Sequence, residues 1–245
     1  MNGMQTIGLI GGLSWYSTVD YYRVINETVQ RRRGGHASAL IALQSLDFAE
    51  VRAMQQAGEW SAAATLLAGA GRRCQDAGAD FVLICSNLMH RVAAEVQAAI
   101  DIPLLHIADA IVDRARAHGW SQLGVLGSRW VMEEDFYLGR LSTAGMGVHV
   151  PDPEDRTLVD RVIFDELTLG RFRPESRSAY LRVIARLATG GADAVVLGCT
   201  EIGQLVGSED SSLPLLDSMR AHAEAAADLS LRPVRSSGPN VVLSF

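Results

Sequence analysis

The sequence predicts an α/β protein made of two similar halves, each built on a largely parallel sheet. Two observations carry this expectation. Short apolar runs alternate with longer stretches of helical period, the pattern of strand–helix units around a parallel sheet. In addition, three motifs recur in the same order at nearly one spacing. Ile7-Gly8-Leu9-Ile10-Gly11-Gly12 returns, from residue 7 to residue 123, as Leu123-Gly124-Val125-Leu126-Gly127-Ser128. Gly78-Ala79-Asp80-Phe81-Val82-Leu83-Ile84 returns 113 positions on as Gly191-Ala192-Asp193-Ala194-Val195-Val196-Leu197, and Pro103-Leu104-Leu105 returns as Pro214-Leu215-Leu216.

Taken in chain order, buried strands are predicted over 6–10, 39–43, 81–84, 104–106, 123–126, 147–150, 194–197 and 213–216. Each half thus receives four, and the units are flavodoxin-like in character. Between them, Trp60, Ala63, Leu67, Ala70 and Cys74 recur at three- and four-residue spacing, as an amphipathic helix requires. Helices over 22–29 and 181–187 run toward Gly34-Gly35 and Gly190-Gly191, which stop them. The first lobe is expected over 1–107, completed by a helix over 217–230, and the second over 108–216. The tail 231–245 receives no assignment.

Of 245 residues, 48% are hydrophobic and 20% charged, enough apolar material for a substantial core. The net charge of −6 gives no electrostatic reason to expect nucleic acid or an anionic membrane as partner. All 22 basic residues are arginine. A chain without lysine cannot form a pyridoxal Schiff base, run a lysine-dependent aldol reaction or carry the usual P-loop lysine. No apolar stretch approaches the ~20 residues of a membrane span, and the apolar run 7–13 lacks the basic leader of a secretory signal. Cys74, Cys85 and Cys199 are an odd set without paired spacing, so neither a disulfide framework nor a zinc site is expected. A reducing cytoplasm suits them.

Ligands of open parallel sheets sit beyond the carboxyl ends of the strands. Two facing lobes would surround a shared cleft with such ends. The repeat places Ser86 opposite Cys199, Asn87 opposite Thr200, and Ser14 and Ser128 after the first strand of each half. Cys199, in Gly198-Cys199-Thr200-Glu201, is expected at a helix start, where a thiol pKa is lowered. Glu201 is either a first-turn carboxylate or a base assisting that thiol. On an extended chain neighbours point opposite ways, so if Ser86 faces the cleft, Cys85 faces the core. His90 and His106 read as hydrogen-bonded packing residues, and Arg31-Arg32-Arg33 as a solvated helix end. Gly8, Gly11 and Gly12 fit a nucleotide-binding turn or a turn approaching a small carboxylate.

The stretches Ile7–Trp15, Cys85-Ser86-Asn87-Leu88-Met89-His90, Leu126-Gly127-Ser128 and Gly198–Ile202 resemble the cofactor-independent aspartate/glutamate racemases, within the superfamily that includes hydantoin racemases, maleate isomerases and arylmalonate decarboxylases. The resemblance runs to about residue 230. It implies an isomerase without cofactor or metal, acting on a small amino acid as a homodimer. One thiol from each lobe would exchange the α-proton from opposite faces. Cys199 matches the second family cysteine. The first falls on Ser86, as in a branch with a hydroxyl at that position.

A serine hydroxyl is a far weaker acid than a thiol, so the expectation is asymmetric: Cys199 deprotonates L-aspartate or L-glutamate, and reaction from the D-side is much slower. Ser14, Asn87, Ser128 and Thr200 would hold the carboxylates, and Gln55 is either a further ligand or an exposed helix residue. The competing readings are a single-thiol malonate-type decarboxylase on the same scaffold and a non-catalytic dicarboxylate or amino-acid binding protein.

Overall fold

A computed structural model describes residues 3–233 and divides the chain into two compact units. The expected tail 231–245 lies outside the described residues from 234 onward. Among those described, the first unit comprises residues 3–85, 92–105 and 223–233, and the second 86–91 and 106–222.

The first unit runs β1 (Ile7–Gly11), α1 (Trp15–Arg33), β2 (Ile41–Ser45), α2 (Phe48–Ala57), α3 (Trp60–Asp76), β3 (Phe81–Ile84) and α4 (Ala93–Ala98). Its strands pair in parallel in the order β2-β1-β3. The second unit runs α5 (Ile107–Ala117), β4 (Gln122–Gly127), α6 (Arg129–Glu133), α7 (Asp135–Thr143), β5 (Gly147–His149), α8 (Pro153–Asp165), α9 (Pro174–Thr189), β6 (Ala194–Gly198), α10 (Ile202–Leu205) and β7 (Leu215–Asp217). Its sheet is parallel in the order β5-β4-β6-β7. The chain then enters α11 (Ser218–Ser230), whose residues from 223 onward group with the first unit.

The four-stranded first sheet expected from the sequence is corrected to three strands and one bridge. Leu104 makes an isolated parallel bridge to Val82, fixed by Val82 N–H to Pro103 O and Leu105 N–H to Val82 O, both 2.9 Å. Pro103 has no N–H to extend the ladder. On the other side, His106 already caps α5 by accepting the Ala108 N–H at Nδ1, 3.2 Å.

The repeat has a structural counterpart in strand register. Ile10 pairs with Ile84 in the first sheet and Leu126 with Leu197 in the second, the positions the two main offsets equate. The repeated Gly-Ala-Asp explains how each register is set. Asp80 Oδ2 accepts from Thr6 N–H at 2.6 Å while Asp80 N–H donates to Thr6 O at 2.8 Å. Asp193 Oδ2 accepts from Ser121 N–H and Gln122 N–H at 2.8 and 3.0 Å, and its own N–H donates to Gln122 O at 2.8 Å. Each aspartate therefore clasps the start of the neighbouring strand.

The repeated glycines are packing positions, not a nucleotide turn. A Cβ on Gly8 would lie 2.8 Å from Val82 Cγ1 and 2.9 Å from Cys74 Cβ, and one on Gly124 would lie 3.1 Å from Leu187 Cδ1. At Gly12, with φ +75°, it would lie 2.1 Å from Leu46 O. The arginine run does end α1, though Arg32 pairs with Asp228 at 3.1 Å and Arg31 approaches Glu224 at 3.9 Å.

Glycine substitutions test this packing. Gly8→Ala should lose about 1–3 kcal/mol to the clash with Cys74 and Val82. Gly69→Ala, whose Cβ meets nothing nearer than the Arg73 side chain at 3.4 Å, should gain about 0.5–1 kcal/mol of helix propensity. Urea unfolding of both variants measures the difference.

Candidate active site

In the second unit, β4 and β6 are adjacent and Gly127 pairs with Gly198, so Ser128 and Cys199 leave the same edge of the sheet as consecutive loop residues. Ser128 caps α6 with its backbone, and its side chain makes no cap hydrogen bond. Ser14 stands at the same place before α1 in the first unit, again without a side-chain cap. Both hydroxyls are buried, and among the described residues Ser14 Oγ and Ser128 Oγ, with Asp193 Oδ1, are the buried side-chain oxygens lacking a hydrogen-bond partner. A buried hydroxyl left unpaired costs about 1–3 kcal/mol. Ser14 carries a second cost, because its φ of 120° is the sole positive value at a non-glycine among the described residues.

Cys199 is partly exposed and packs against the core of its unit. Its thiol donates to Glu201 Oε2 at 3.0 Å, and Thr200 Oγ1 donates to the same oxygen at 2.6 Å. Glu201 is itself buried, at 3% exposure. Burial pushes the Cys199 thiol well above its ordinary pKa, and the Glu201 charge adds to the shift. The lowered thiol pKa expected at a helix start is thus corrected. The helix beyond, α10, has four residues, and a carboxylate bonds directly to the thiol. The thiol points its hydrogen at a carboxylate oxygen that is placed to take it.

Ser86 follows β3 and Cys85, and residues 86–91 belong to the second unit. Its hydroxyl accepts the Met89 N–H at 3.4 Å, at the start of the 3-10 turn Leu88–Val92. The preceding Cys85 is fully buried, and desolvation pushes its thiol up; burial likewise moves Cys74 to about 11. His90 bonds the Ser86 carbonyl through Nδ1 at 2.7 Å and accepts the Ile107 N–H at Nε2, 3.1 Å. This geometry fixes a neutral ring with its proton on Nδ1. Burial lowers the pKa of His90 and takes His106 to about 3, so both serve as uncharged packing partners.

Asn87 is 3% exposed and bonded at both ends of its amide. Tyr137 Oη donates to Asn87 Oδ1 at 2.8 Å, and Asn87 Nδ2 donates to Ser218 Oγ at 3.0 Å. Sequence reasoning missed Tyr137 and Ser218, because nothing local marks partners 50 and 131 positions away. Gln55, on α2, is buried at 3% exposure and accepts from Arg52 at 3.4 Å. Among the described residues no group of three or more His, Cys, Asp or Glu could hold a metal ion, and no helix is long and apolar enough to cross a membrane.

The family model for Asp/Glu/hydantoin racemase matches residues 10–226. The chain belongs to the Asp/Glu/hydantoin racemase family. Among solved structures, this racemase-family chain is similar to a Yersinia pestis protein provisionally described as an Asp/Glu racemase, with 46% identity, a TM-score of 0.88 and coverage of 94% of this chain and 100% of that one. It is also similar to an aspartate racemase homologue from Pyrococcus horikoshii, with 27% identity, a TM-score of 0.80 and the same coverage. An aspartate racemase from Picrophilus torridus shares the fold at 17% identity and a TM-score of 0.72, over 92% of this chain and 94% of that one.

Two tests follow from the geometry of this racemase-family chain. The Glu201 charge raises the Cys199 pKa, so Glu201→Gln should move the pH profile of Cys199 alkylation by iodoacetamide to lower pH, read by peptide mass mapping. Ser14→Gly removes both the strained φ and the unpaired hydroxyl. It should raise stability by about 1–3 kcal/mol in thermal unfolding.

Proposed function

We propose that this protein is a cofactor-independent racemase of L-aspartate and/or L-glutamate, with Cys199 and Glu201 working on one face of Cα and Ser86 on the other. The observation that carries the reading is the bond of the Cys199 thiol to a buried carboxylate. Transfer of the thiol proton to Glu201 leaves a thiolate. The thiolate takes the α-proton, and the C–H electrons delocalise into the substrate carboxylate. Inversion is completed by a proton delivered to the opposite face from Ser86 Oγ–H or a water it orients; the serine oxygen regains its proton from water, and Glu201 gives up the proton it took to the hydroxide this leaves, so the resting enzyme is restored. Asn87, Ser128 and Thr200 of the second unit are assigned to the substrate carboxylates; the unpaired hydroxyl of Ser128 supports this. A homodimer in a reducing cytoplasm completes the proposal.

The asymmetry of the two faces has a thermodynamic limit. Racemisation has an equilibrium constant of one, so kcat/KM for net inversion must be equal in both directions. The bias must therefore appear in isotope exchange, where Cys199 can return a solvent proton to the same face faster than Ser86 can supply one to the other.

α-Proton exchange in deuterated water, followed by NMR with each enantiomer of aspartate and glutamate, tests this. Exchange of the L-enantiomer should outrun its inversion. Cys199→Ala should reduce exchange by about 10²–10⁴-fold, and Ser86→Cys should gain exchange from the D-side. Equal exchange of both enantiomers by the wild type would overturn the asymmetry, and carbon dioxide release from a disubstituted malonate without amino-acid exchange would identify a decarboxylase.

A further inference from the structure

A chain of buried hydrogen bonds links distant segments of the second unit. From Tyr137 Oη it passes to Asn87 Oδ1, from Asn87 Nδ2 to Ser218 Oγ, and from Ser218 Oγ–H to the Leu197 carbonyl at 2.6 Å. Tyr137 and Ser218 are completely buried, in α7 and at the start of α11. The ends of the chain carry its meaning. Asn87 adjoins Ser86, and Leu197 lies on β6 two residues before Cys199.

We infer that Tyr137 and Ser218 are positioning residues: their hydroxyls tie the Ser86–Asn87 turn to the strand that carries Cys199 and so set the placement of the two reacting groups. This rests on the racemase reading for its catalytic meaning. Hydrogen-bond direction makes the chain a single device. The Ser218 hydroxyl has one proton, which it donates to Leu197 O, leaving its oxygen to accept from Asn87. The Asn87 amide is thereby oriented, with its oxygen toward the Tyr137 hydroxyl. Its second N–H and second lone pair are not engaged by these bonds and can serve a substrate carboxylate or amine. Removing either hydroxyl leaves a buried amide or carbonyl group short of a partner and lets the turn shift against β6. Near-attack geometry is sensitive to such shifts, since a 1 Å misplacement can lower rate by about 10²-fold.

Tyr137→Phe, Ser218→Ala and the double variant separate positioning from simple support. Three readouts are needed: kcat and KM for L-aspartate and L-glutamate exchange, the pH profile of Cys199 alkylation by iodoacetamide, and the melting temperature. Each single variant, assayed where it is fully folded, should lose about 10–10²-fold in kcat with KM within about twofold of wild type. The double variant should be little worse than the weaker single, because the hydroxyls act through one chain. A lowered melting temperature with kcat unchanged would overturn the inference. So would a rise in KM alone, which would make Asn87 a ligand whose placement does not matter to the chemical step. If the wild type exchanges no amino acid, the racemase reading fails and the alkylation arm decides the rest. A several-fold change at Cys199 in Ser218→Ala would then support the tie to β6, and an unchanged rate would overturn it. Should Ser218→Ala not fold, Tyr137→Phe, which removes a single oxygen, gives the kcat and alkylation comparisons by itself.

Discussion

Parallel pairing of the inner strands is the constraint from which the site follows. Register between β4 and β6 delivers Ser128 and Cys199 to one edge of a sheet, and the corresponding register between β1 and β3 delivers Ser14 and Ser86 to the ends of theirs. That register needs close approach of helix to strand, which the unsubstituted Cα of Gly8 and Gly124 permits. It also needs a fixed starting point, which Asp80 and Asp193 provide. Apolar burial holds the layers together, while the clasps decide which residues arrive at the tips.

What arrives at the Cys199 tip is an electrostatic compromise. A buried Glu201 carboxylate would be costly without donors, and the Cys199 thiol and Thr200 hydroxyl both supply hydrogen to one of its oxygens. The same arrangement discourages ionisation of the sulfur, because thiolate and carboxylate would stand side by side in a poorly solvated place. The resting pair stores a proton at sulfur, with an acceptor already in contact.

Much of this was legible in the sequence because its signals are local or repeated. Strand cores at 81–84 and 194–197, the α3 stripe through Cys74, and the equivalence of Ser86 with Cys199 all rest on short-range periodicity or the internal repeat. Two expectations failed where a neighbour outweighed the local pattern. The run 104–106 shrank to a bridge because Pro103 and the capping His106 leave one residue to pair. The thiol pKa rose because burial and Glu201 override any effect of a one-turn helix. Tyr137 and Ser218 were invisible for a different reason. A hydroxyl bonded across the fold has no periodicity, and its importance exists only once distant segments meet.

The paired aspartate clasps have a consequence for how the two halves can diverge. Each half carries its own alignment device at the bases of its strands, at the opposite end from the loops that follow them. A substitution at residue 86 lies outside both clasps and leaves the Asp80 and Asp193 hydrogen bonds in place. The two halves share their foundations, so the loop residues above them can differ without moving the strands beneath.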